Sequence, residues 1–309
     1  MNFLAISLIS VLSAAKSEDA HKSGSAQPNG WRYIDQSAWT GLCKTGKQQS
    51  PVNIEIAEVE LVTFPPLELI NYDAQGHTVA ENNGHTELIQ GFNSWSSKQP
   101  HIQGGGLQGR YYLSQFHFHW SETDTHGSEH QVDSAVYPLE LHLVHIKEGY
   151  SAENATAGTI AVLAVPFQIS TNGQTLVDLD GAFQKTQLYN SSDEITTYTP
   201  SALIPPNYQS FYRYNGKKRV IAIEPNYVSE NQLKELRELI EEDGSLLIRN
   251  WRETQPLNGR KVYLNHGKPN TKLRYESSTR PHNHVKAAES KSTFLLSFII
   301  FVVVIIFKE

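Results

Sequence analysis

Apolar and polar residues alternate in many short runs along the central part of the chain. Between about Trp31 and Tyr275, Gly, Pro, Asn and Ser separate segments such as TVAEN, ELIQGF, YYLSQFHFHW, ELHLVHI, TIAVLAVPF and RVIAIEP. A period of two, with many β-branched and aromatic residues, is typical of strands, and the separating residues favour turns. The pattern predicts a predominantly β domain in which strands outnumber helices.

The clearest helical segment reads SENQLKELRELIEEDG. Ser229 and Gln232 have the spacing of a capping box, and Leu233, Leu236 and Ile240 recur at helical spacing. The glycine that closes the segment is a stop signal. This apolar stripe predicts core packing and carries no catalytic chemistry.

The segment QFHFHW places two imidazoles at alternate positions of one predicted strand. Successive side chains of a strand point to opposite faces, so His117 and His119 share one face, while Phe116, Phe118 and Trp120 share the other. One face is apolar and the other can chelate. An isolated His-x-His more often makes ordinary hydrogen bonds in a barrel or sandwich strand.

A second strand, ELHLVH, adds a third imidazole. Glu140, His142 and Val144 share one face of it, and if the two strands are neighbours, His142 converges with His117 and His119. Three neutral nitrogen ligands with a vacant fourth position are typical of a catalytic zinc site, whereas structural sites usually add cysteines. From these residues alone, a three-histidine site and a polar β-core both remain open.

Several polar side chains near these strands could support a metal site. A metal-bound histidine usually has its second ring nitrogen held by a carboxylate or carbonyl group, and Gln115 and Glu140 have the strand parity for this role. The connecting segment GSEHQVD offers Glu129 and His130 as well. An ordinary loop or edge position is the alternative for this segment.

Both ends of the chain carry apolar segments that suit targeting. Residues 1–17 resemble a secretory signal, although the usual positive start is missing. Residues 293–309 form a hydrophobic tail that follows a polar spacer at 276–292. The tail is shorter than the roughly twenty residues that cross a bilayer, which favours a glycolipid (GPI) anchor signal over a short membrane anchor. A buried core helix is a third reading.

Sequons, cysteine usage and charge refine the expected location and partners. Asn154 and Asn190 begin glycosylation triplets, in agreement with export. Cys43 has no second cysteine in the chain, so its thiol is buried, bridges to another molecule, or has lost its partner. The net charge of −6, without a long basic run, argues against nucleic-acid binding.

Taken together, QFHFHW, GSEHQVD and ELHLVH resemble the signature of the α-class carbonic anhydrases, of the extracellular, membrane-anchored type. QQSPVNI, NNGH and NWRETQPLNGR agree with that family as well. The resemblance covers roughly residues 31–264 and is specific. It implies a single domain over 27–275, with a large, central, mostly antiparallel twisted sheet and a few short peripheral helices.

The resemblance also implies a zinc centre. His117, His119 and His142 match the zinc ligands of the family. Gln115 and Glu140 match the residues that orient those ligands. The implied cofactor is Zn²⁺, and the implied substrate and product are CO2 and bicarbonate.

Further matches concern proton transfer and the water network. His85 matches the proton shuttle of the family, and Glu129 matches the carboxylate that accepts a hydrogen bond from a gatekeeping threonine. Tyr33, Asn83 and Tyr214 match residues of the pocket and its water chain.

The pocket also departs from the family. Val144 matches a wall of the CO2 pocket, but Leu88 stands where the family often has a polar residue, which implies a drier water network. After Gly216 the chain continues directly to Lys217, where the family would continue with Ser-Leu-Thr-Thr-Pro-Pro. That segment carries the gatekeeping threonine, a pocket leucine and a cysteine that extracellular members pair with one at the position of Cys43.

We therefore expect an exported zinc carbonic anhydrase at the extracellular face of the plasma membrane, either GPI-anchored or secreted. It would interconvert CO2 and bicarbonate at a rate reduced by the missing segment. A catalytically silent zinc-binding interaction module is the rival interpretation. A structural β-domain without metal would require the three histidines to be coincidental.

Overall fold

The computed structural model describes residues 31–156, 158–214, 219–222, 225–265 and 302–305. The predicted leader, the polar spacer and most of the predicted tail lie outside these ranges. So does the junction at 215–218, where the resemblance predicts a missing segment. Within the described ranges, no helix combines the length and the apolar character that crossing a bilayer requires.

Strands dominate the described residues, as the alternating pattern predicts. The strands are β1 Asn53–Ile54, β2 Glu60–Val62, β3 Leu67–Ile70, β4 Gly76–Asn82, β5 Glu87–Gln90, β6 His101–Gly104, β7 Tyr111–Trp120, β8 Gln131–Val132, β9 Leu139–Lys147, β10 Ile160–Ile169, β11 Ser192–Tyr198, β12 Phe211–Tyr214, β13 Arg219–Ala222, β14 Asn226–Val228, β15 Val262–Asn265 and β16 Val302–Ile305.

The helices are short and few. Within the described ranges, the α-helices are α1 Leu42–Thr45, α2 Asp180–Lys185 and α3 Glu230–Arg237. Short 3₁₀ helices lie at Tyr33–Ala38, Ile56–Glu58, Phe92–Lys98, Val177–Leu179 and Pro200–Leu203.

One large sheet organises the fold. Fourteen strands form it, and its main path runs β11-β4-β5-β7-β9-β10-β16-β12-β15-β2. Most neighbours are antiparallel, while β10 with β14, β12 with β16, and β15 with β2 are parallel. Strands β1 and β8 form a separate parallel pair. The predicted fold, a predominantly β domain with a large central sheet and few helices, is confirmed.

The antiparallel pair β7 and β9 lies in the middle of this sheet. Phe116 pairs with Leu143 and Phe118 with Leu141, and these four apolar side chains are fully buried. Because faces alternate along a strand, the residues between them point the other way. His117 therefore stands directly opposite His142 on the other face.

A β-bulge adjusts the same pair further along. Leu113 pairs with His145 but Gln115 pairs with Val144, so two residues of β7 advance against one residue of β9. Such an extra residue locally bends and twists the strand. Beyond the bulge, Gln115 and Val144 lie next to the imidazoles on their face.

The predicted helix is present but shorter than expected. Helix α3 begins with the predicted capping box, in which the Ser229 side chain accepts from the Gln232 backbone and the Gln232 side chain accepts from the Ser229 backbone. It ends at Arg237, so the predicted extension to the closing glycine is wrong. Ile240 instead forms a bridge with Leu246, because its N–H donates to the carbonyl of Gln187.

Part of the predicted tail pairs with the sheet. Strand β16 lies against β10, β12 and β13, with β13 antiparallel to it over four residue pairs. The described part of the tail is thus a strand between β10 and β12. The role of the tail as an anchor stays a prediction.

Candidate metal centre

Three imidazoles converge on the face of the β7–β9 pair that lies opposite the aromatic core. His117, His119 and His142 are 5%, 2% and 4% exposed, so water reaches very little of them. One ring nitrogen of each lies within 4.8 Å of the corresponding nitrogens of the other two. Two of these nitrogens, His119 Nε2 and His142 Nδ1, lie 3.0 Å apart. The structure brings together the residues that the sequence singled out.

A hydrogen bond holds the outward nitrogen of each ring. His117 Nδ1 donates to Gln115 Oε1 at 2.8 Å, and His142 Nε2 donates to Glu140 Oε1 at 2.6 Å. His119 Nδ1 donates to the backbone carbonyl of Asn250 at 2.8 Å. Carbonyl and carboxylate oxygens only accept, so the outward nitrogens carry the hydrogens. The inward nitrogens of the neutral rings are then lone pairs.

Two lone pairs at 3.0 Å repel each other unless a cation lies between them. Two nitrogens bound to one tetrahedral zinc at about 2.0–2.1 Å lie about 3.4 Å apart, close to this separation. Three imidazole nitrogens are also a donor set that zinc accepts. The residues present therefore fit a zinc ion.

A proton is the other cation that could occupy this contact. Burial, followed by the neighbouring imidazoles, holds the pKa of His117 well below its ordinary value, and burial lowers the pKa of His119. Burial would lower the pKa of His142 as well, but the Glu140 carboxylate outweighs burial and raises it. Of the three rings, His142 is therefore the one that takes up a proton most readily without a metal. A metal must displace that proton.

The carboxylate of Glu140 anchors the centre from behind. Glu140 is 1% exposed and accepts from the backbone N–H of His130 at 2.8 Å and from His130 Nδ1 at 2.7 Å, in addition to His142. Burial would raise the pKa of this carboxyl group, but the charge and hydrogen bonds of His130 and His142 hold it well below its ordinary value. Glu140 therefore stays ionised and fixes the His142 ring.

Asn250 is a site residue that sequence reasoning missed. Its side-chain Oδ1 accepts from the Trp120 N–H at 2.6 Å, and its Nδ2 donates to the carbonyls of Phe118 at 2.8 Å and His85 at 3.0 Å. Its own carbonyl holds His119. One buried residue thus joins the end of β7, the His85 turn and the His119 ring. Its place at the start of NWRETQPLNGR was the only sequence signal.

Glu129 lies beside the three imidazoles but is not one of the residues whose donor atoms all lie within 4.8 Å of one another. Its Oε1 accepts from the Arg252 N–H at 2.8 Å and lies 3.6 Å from His119 Nδ1. Its Oε2 lies 3.9 Å from His142 Nδ1. In the part of the chain that the structure describes, no hydroxyl group donates a hydrogen bond to this carboxylate.

His85 lies at the edge of the site, in a turn that Asn83 shapes. Asn83 Oδ1 accepts from the N–H groups of His85 at 2.9 Å and Thr86 at 3.0 Å. The His85 ring stacks on Trp31, with the ring centres 4.1 Å apart. Burial, and then the charge of Arg32, lower the pKa of His85 to about 4. In this orientation His85 is neutral at pH 7.

The remaining predicted pocket residues lie at different distances from the three imidazoles. Leu88 pairs with His117 and Val144 with Gln115, and both are buried apolar neighbours of the imidazoles. Tyr33 packs edge-on against His119, with ring centres 6.1 Å apart. Tyr214 lies deeper, where its hydroxyl contacts Ser50 at 2.5 Å and His130 at 3.5 Å.

Three other predicted residues lie away from the imidazoles. Asn154 and Asn190 are exposed, and Asn190 adopts a positive φ of 60° in the turn before β11. Cys43 is partly buried in α1, and its carbonyl accepts from the Arg252 guanidinium at 2.7 Å. None of these positions contributes to the candidate metal centre.

Fold and site together define a mainly β protein with a candidate three-histidine metal centre at its central sheet. The chain belongs to the eukaryotic-type carbonic anhydrase family, whose profile matches residues 27–266. It is 35% identical over 264 residues to "Putative carbonic anhydrase 5" of Caenorhabditis elegans, covering 77% of this chain and 83% of that protein. It is 31% identical over 258 residues to human "Carbonic anhydrase 7", covering 76% and 96%.

The central position of Asn250 can be tested by Asn250→Ala. The N–H of Trp120 and the carbonyl of His85 would lose this partner, whereas the carbonyl of Phe118 keeps the Thr86 hydroxyl, and each buried polar group left without a partner costs about 1–3 kcal/mol. We expect the free energy of unfolding in urea to fall by at least about 2 kcal/mol. Asn172→Ala, at an exposed position, should change it little. Equal unfolding midpoints for the two variants would contradict this role.

The stack on Trp31 predicts how the pKa of His85 responds to mutation. Trp31→Ala should let water reach the ring, and the pKa should rise from about 4 towards its ordinary value near 6.5. NMR titration of the ring protons, assigned with a His85→Asn sample, measures this directly. Because the folded-state pKa is depressed, this group lowers stability as pH falls from about 6.5 to 4, and Trp31→Ala should weaken that dependence. An unchanged pKa would rule out burial by Trp31 as the cause.

Proposed function

We propose that this chain binds zinc at His117, His119 and His142 and catalyses the reversible hydration of CO2 to bicarbonate and a proton. Family membership supports the reaction class. The observation that carries the proposal for this chain is the arrangement of hydrogens around the three rings. All three outward nitrogens are held by acceptors, so three lone pairs converge on one point.

A zinc ion in such a site acts as a Lewis acid and lowers the pKa of its water to about 7, the figure that this family itself exemplifies. The protein residues supply the rest. Gln115, Glu140 and the Asn250 carbonyl fix the ring orientations. Leu88 and Val144 provide an apolar wall beside the rings, which suits an apolar gas and excludes water.

The proton must leave through neighbouring polar groups. We infer that His85 takes part, since it lies in a turn that Asn250 joins to the end of β7. A shuttle works best with a pKa near the working pH. Stacked on Trp31, His85 has a pKa of about 4, so it must leave that stack to exchange protons at neutral pH. Proton departure through His85 then requires a movement of this ring.

The missing segment should lower the rate further. Loss of one preorganised hydrogen-bond donor or acceptor at a reacting group often costs about 100–1,000-fold. The absence of a hydroxyl donor to Glu129 among the described residues favours the rival function, a zinc-binding interaction module without turnover. Reduced carbonic anhydrase activity is our proposal, because the metal-binding geometry is complete.

The direct test is stopped-flow CO2 hydration by the purified, zinc-loaded chain. We expect a rate clearly above that of His117→Ala, which removes one of the three inward nitrogens. Removal of zinc with a chelator should abolish the difference, and restored zinc should return it. Equal rates for the two proteins, with the unmodified chain shown to be folded and zinc-bound, would leave only the interaction module.

We also propose that the protein is exported and anchored by its C-terminal tail at the extracellular face of the plasma membrane. The exposed sequon asparagines, Asn154 and Asn190, suit glycosylation of an exported protein. A phospholipase that cleaves glycolipid anchors should release the protein from expressing cells. Truncation after residue 292 should instead send it to the medium. Retention after phospholipase treatment would favour a tail that stays part of the chain, as its pairing in β16 would require.

A further inference from the structure

The two oxygens of the Glu129 carboxylate have different surroundings. Oε1 is fixed by the backbone N–H of Arg252 at 2.8 Å. Among the described residues, Oε2 makes no such bond, and it lies 3.9 Å from His142 Nδ1, the nitrogen that faces the other imidazoles. One oxygen therefore holds the carboxylate in place, and the other faces the three-histidine centre.

The charge of Glu129 faces the imidazoles. The residue is 8% exposed, and among the described residues its ion-pair contacts are with the imidazoles of His119 and His142. The nearby Arg252 guanidinium interacts with this charge through space, but it donates its side-chain hydrogen bonds to Gln49, Ser50 and Cys43. A buried carboxylate is costly unless its charge is compensated. A positive charge within the centre would add to the compensation that Arg252 provides.

The distances place Glu129 just outside the range of a metal ligand. An oxygen bound to the same tetrahedral ion would lie about 3.4 Å from each nitrogen, and Glu129 is not part of the cluster whose donor atoms lie within 4.8 Å of one another. A hydrogen-bonded atom placed between Oε2 and the centre accounts for the wider separation. That atom must carry a hydrogen, because an ionised carboxylate only accepts.

We propose that Glu129 Oε2 accepts a hydrogen bond directly from the group that occupies the open side of the three-histidine centre, with no hydroxyl between them. The proposal rests on the proposed zinc centre. It makes Glu129 a selectivity residue as well. Occupants that carry a hydrogen are favoured, while simple anions without one, such as azide, meet the negative charge of Oε2.

The experiment measures azide binding to the full chain loaded with cobalt(II), whose visible spectrum reports occupation of the open position. Glu129→Gln removes the charge but keeps an oxygen for the Arg252 N–H. We expect azide to bind at least about tenfold more tightly to this variant, because the like-charge repulsion is lost. Glu129→Ala should also bind azide more tightly. This second variant keeps the test decisive if Glu129→Gln does not fold.

Glu87→Gln is the matched control. Glu87 is also a fully buried carboxyl group, but it lies on the opposite face of β5 from Leu88 and accepts from the Thr186 hydroxyl at 2.8 Å. Burial raises the pKa of Glu87 well above its ordinary value, so its neutral form resembles glutamine. Azide affinity in this variant should equal that of the unmodified chain.

The outcomes separate this inference from the proposed function. Equal azide affinity in the unmodified chain and both Glu129 variants would overturn the direct contact, even if cobalt binds and CO2 is hydrated. Tighter azide binding in the Glu129 variants, in a protein that does not hydrate CO2, would support the contact and reject the enzyme. A chain that takes up no cobalt would overturn both.

Discussion

The antiparallel register between β7 and β9 determines where the three imidazoles meet. His117 stands opposite His142 only because Phe116 and Phe118 pair with Leu143 and Leu141 on the other face. A slip by one residue would exchange the two faces, burying imidazoles in the apolar core. The hydrophobic pairs therefore specify the arrangement of the three imidazoles, although they lie on the opposite face of the sheet.

Buried charge is the second constraint, and the centre has a carboxylate on each side. Glu140 is fully satisfied: three donors surround it and keep it ionised behind His142. Within the described part of the chain, Glu129 accepts a hydrogen bond at Oε1 and none at Oε2. A fully bonded carboxylate can only orient a ring, whereas a half-bonded one retains an acceptor for an occupant. The difference in hydrogen bonding thus separates a structural role from a chemical one.

The sequence predicts the strands that carry the three imidazoles better than it predicts the distant groups that hold them in place. Alternation alone assigns the chelating face of β7 and β9 and the parity of Gln115 and Glu140, since strand geometry repeats every two residues. The capping box of α3 is equally local. The carbonyl of Asn250 cannot be predicted this way, because every residue has a carbonyl and this one lies 131 positions from His119. The early end of α3 likewise depends on a distant acceptor, the carbonyl of Gln187.

The centre and the proton exit rest on different parts of the chain. Sheet strands hold the imidazoles, whereas the His85 turn and the Trp31 segment form the exit. Leu88, between these regions in β5, offers no hydrogen bond to a water chain. In the proposed reaction, cation binding depends on the imidazoles, while turnover also depends on the position of His85. The two regions are nevertheless linked, because Asn250 accepts from the His119 ring through its carbonyl and donates to the His85 carbonyl through its side chain.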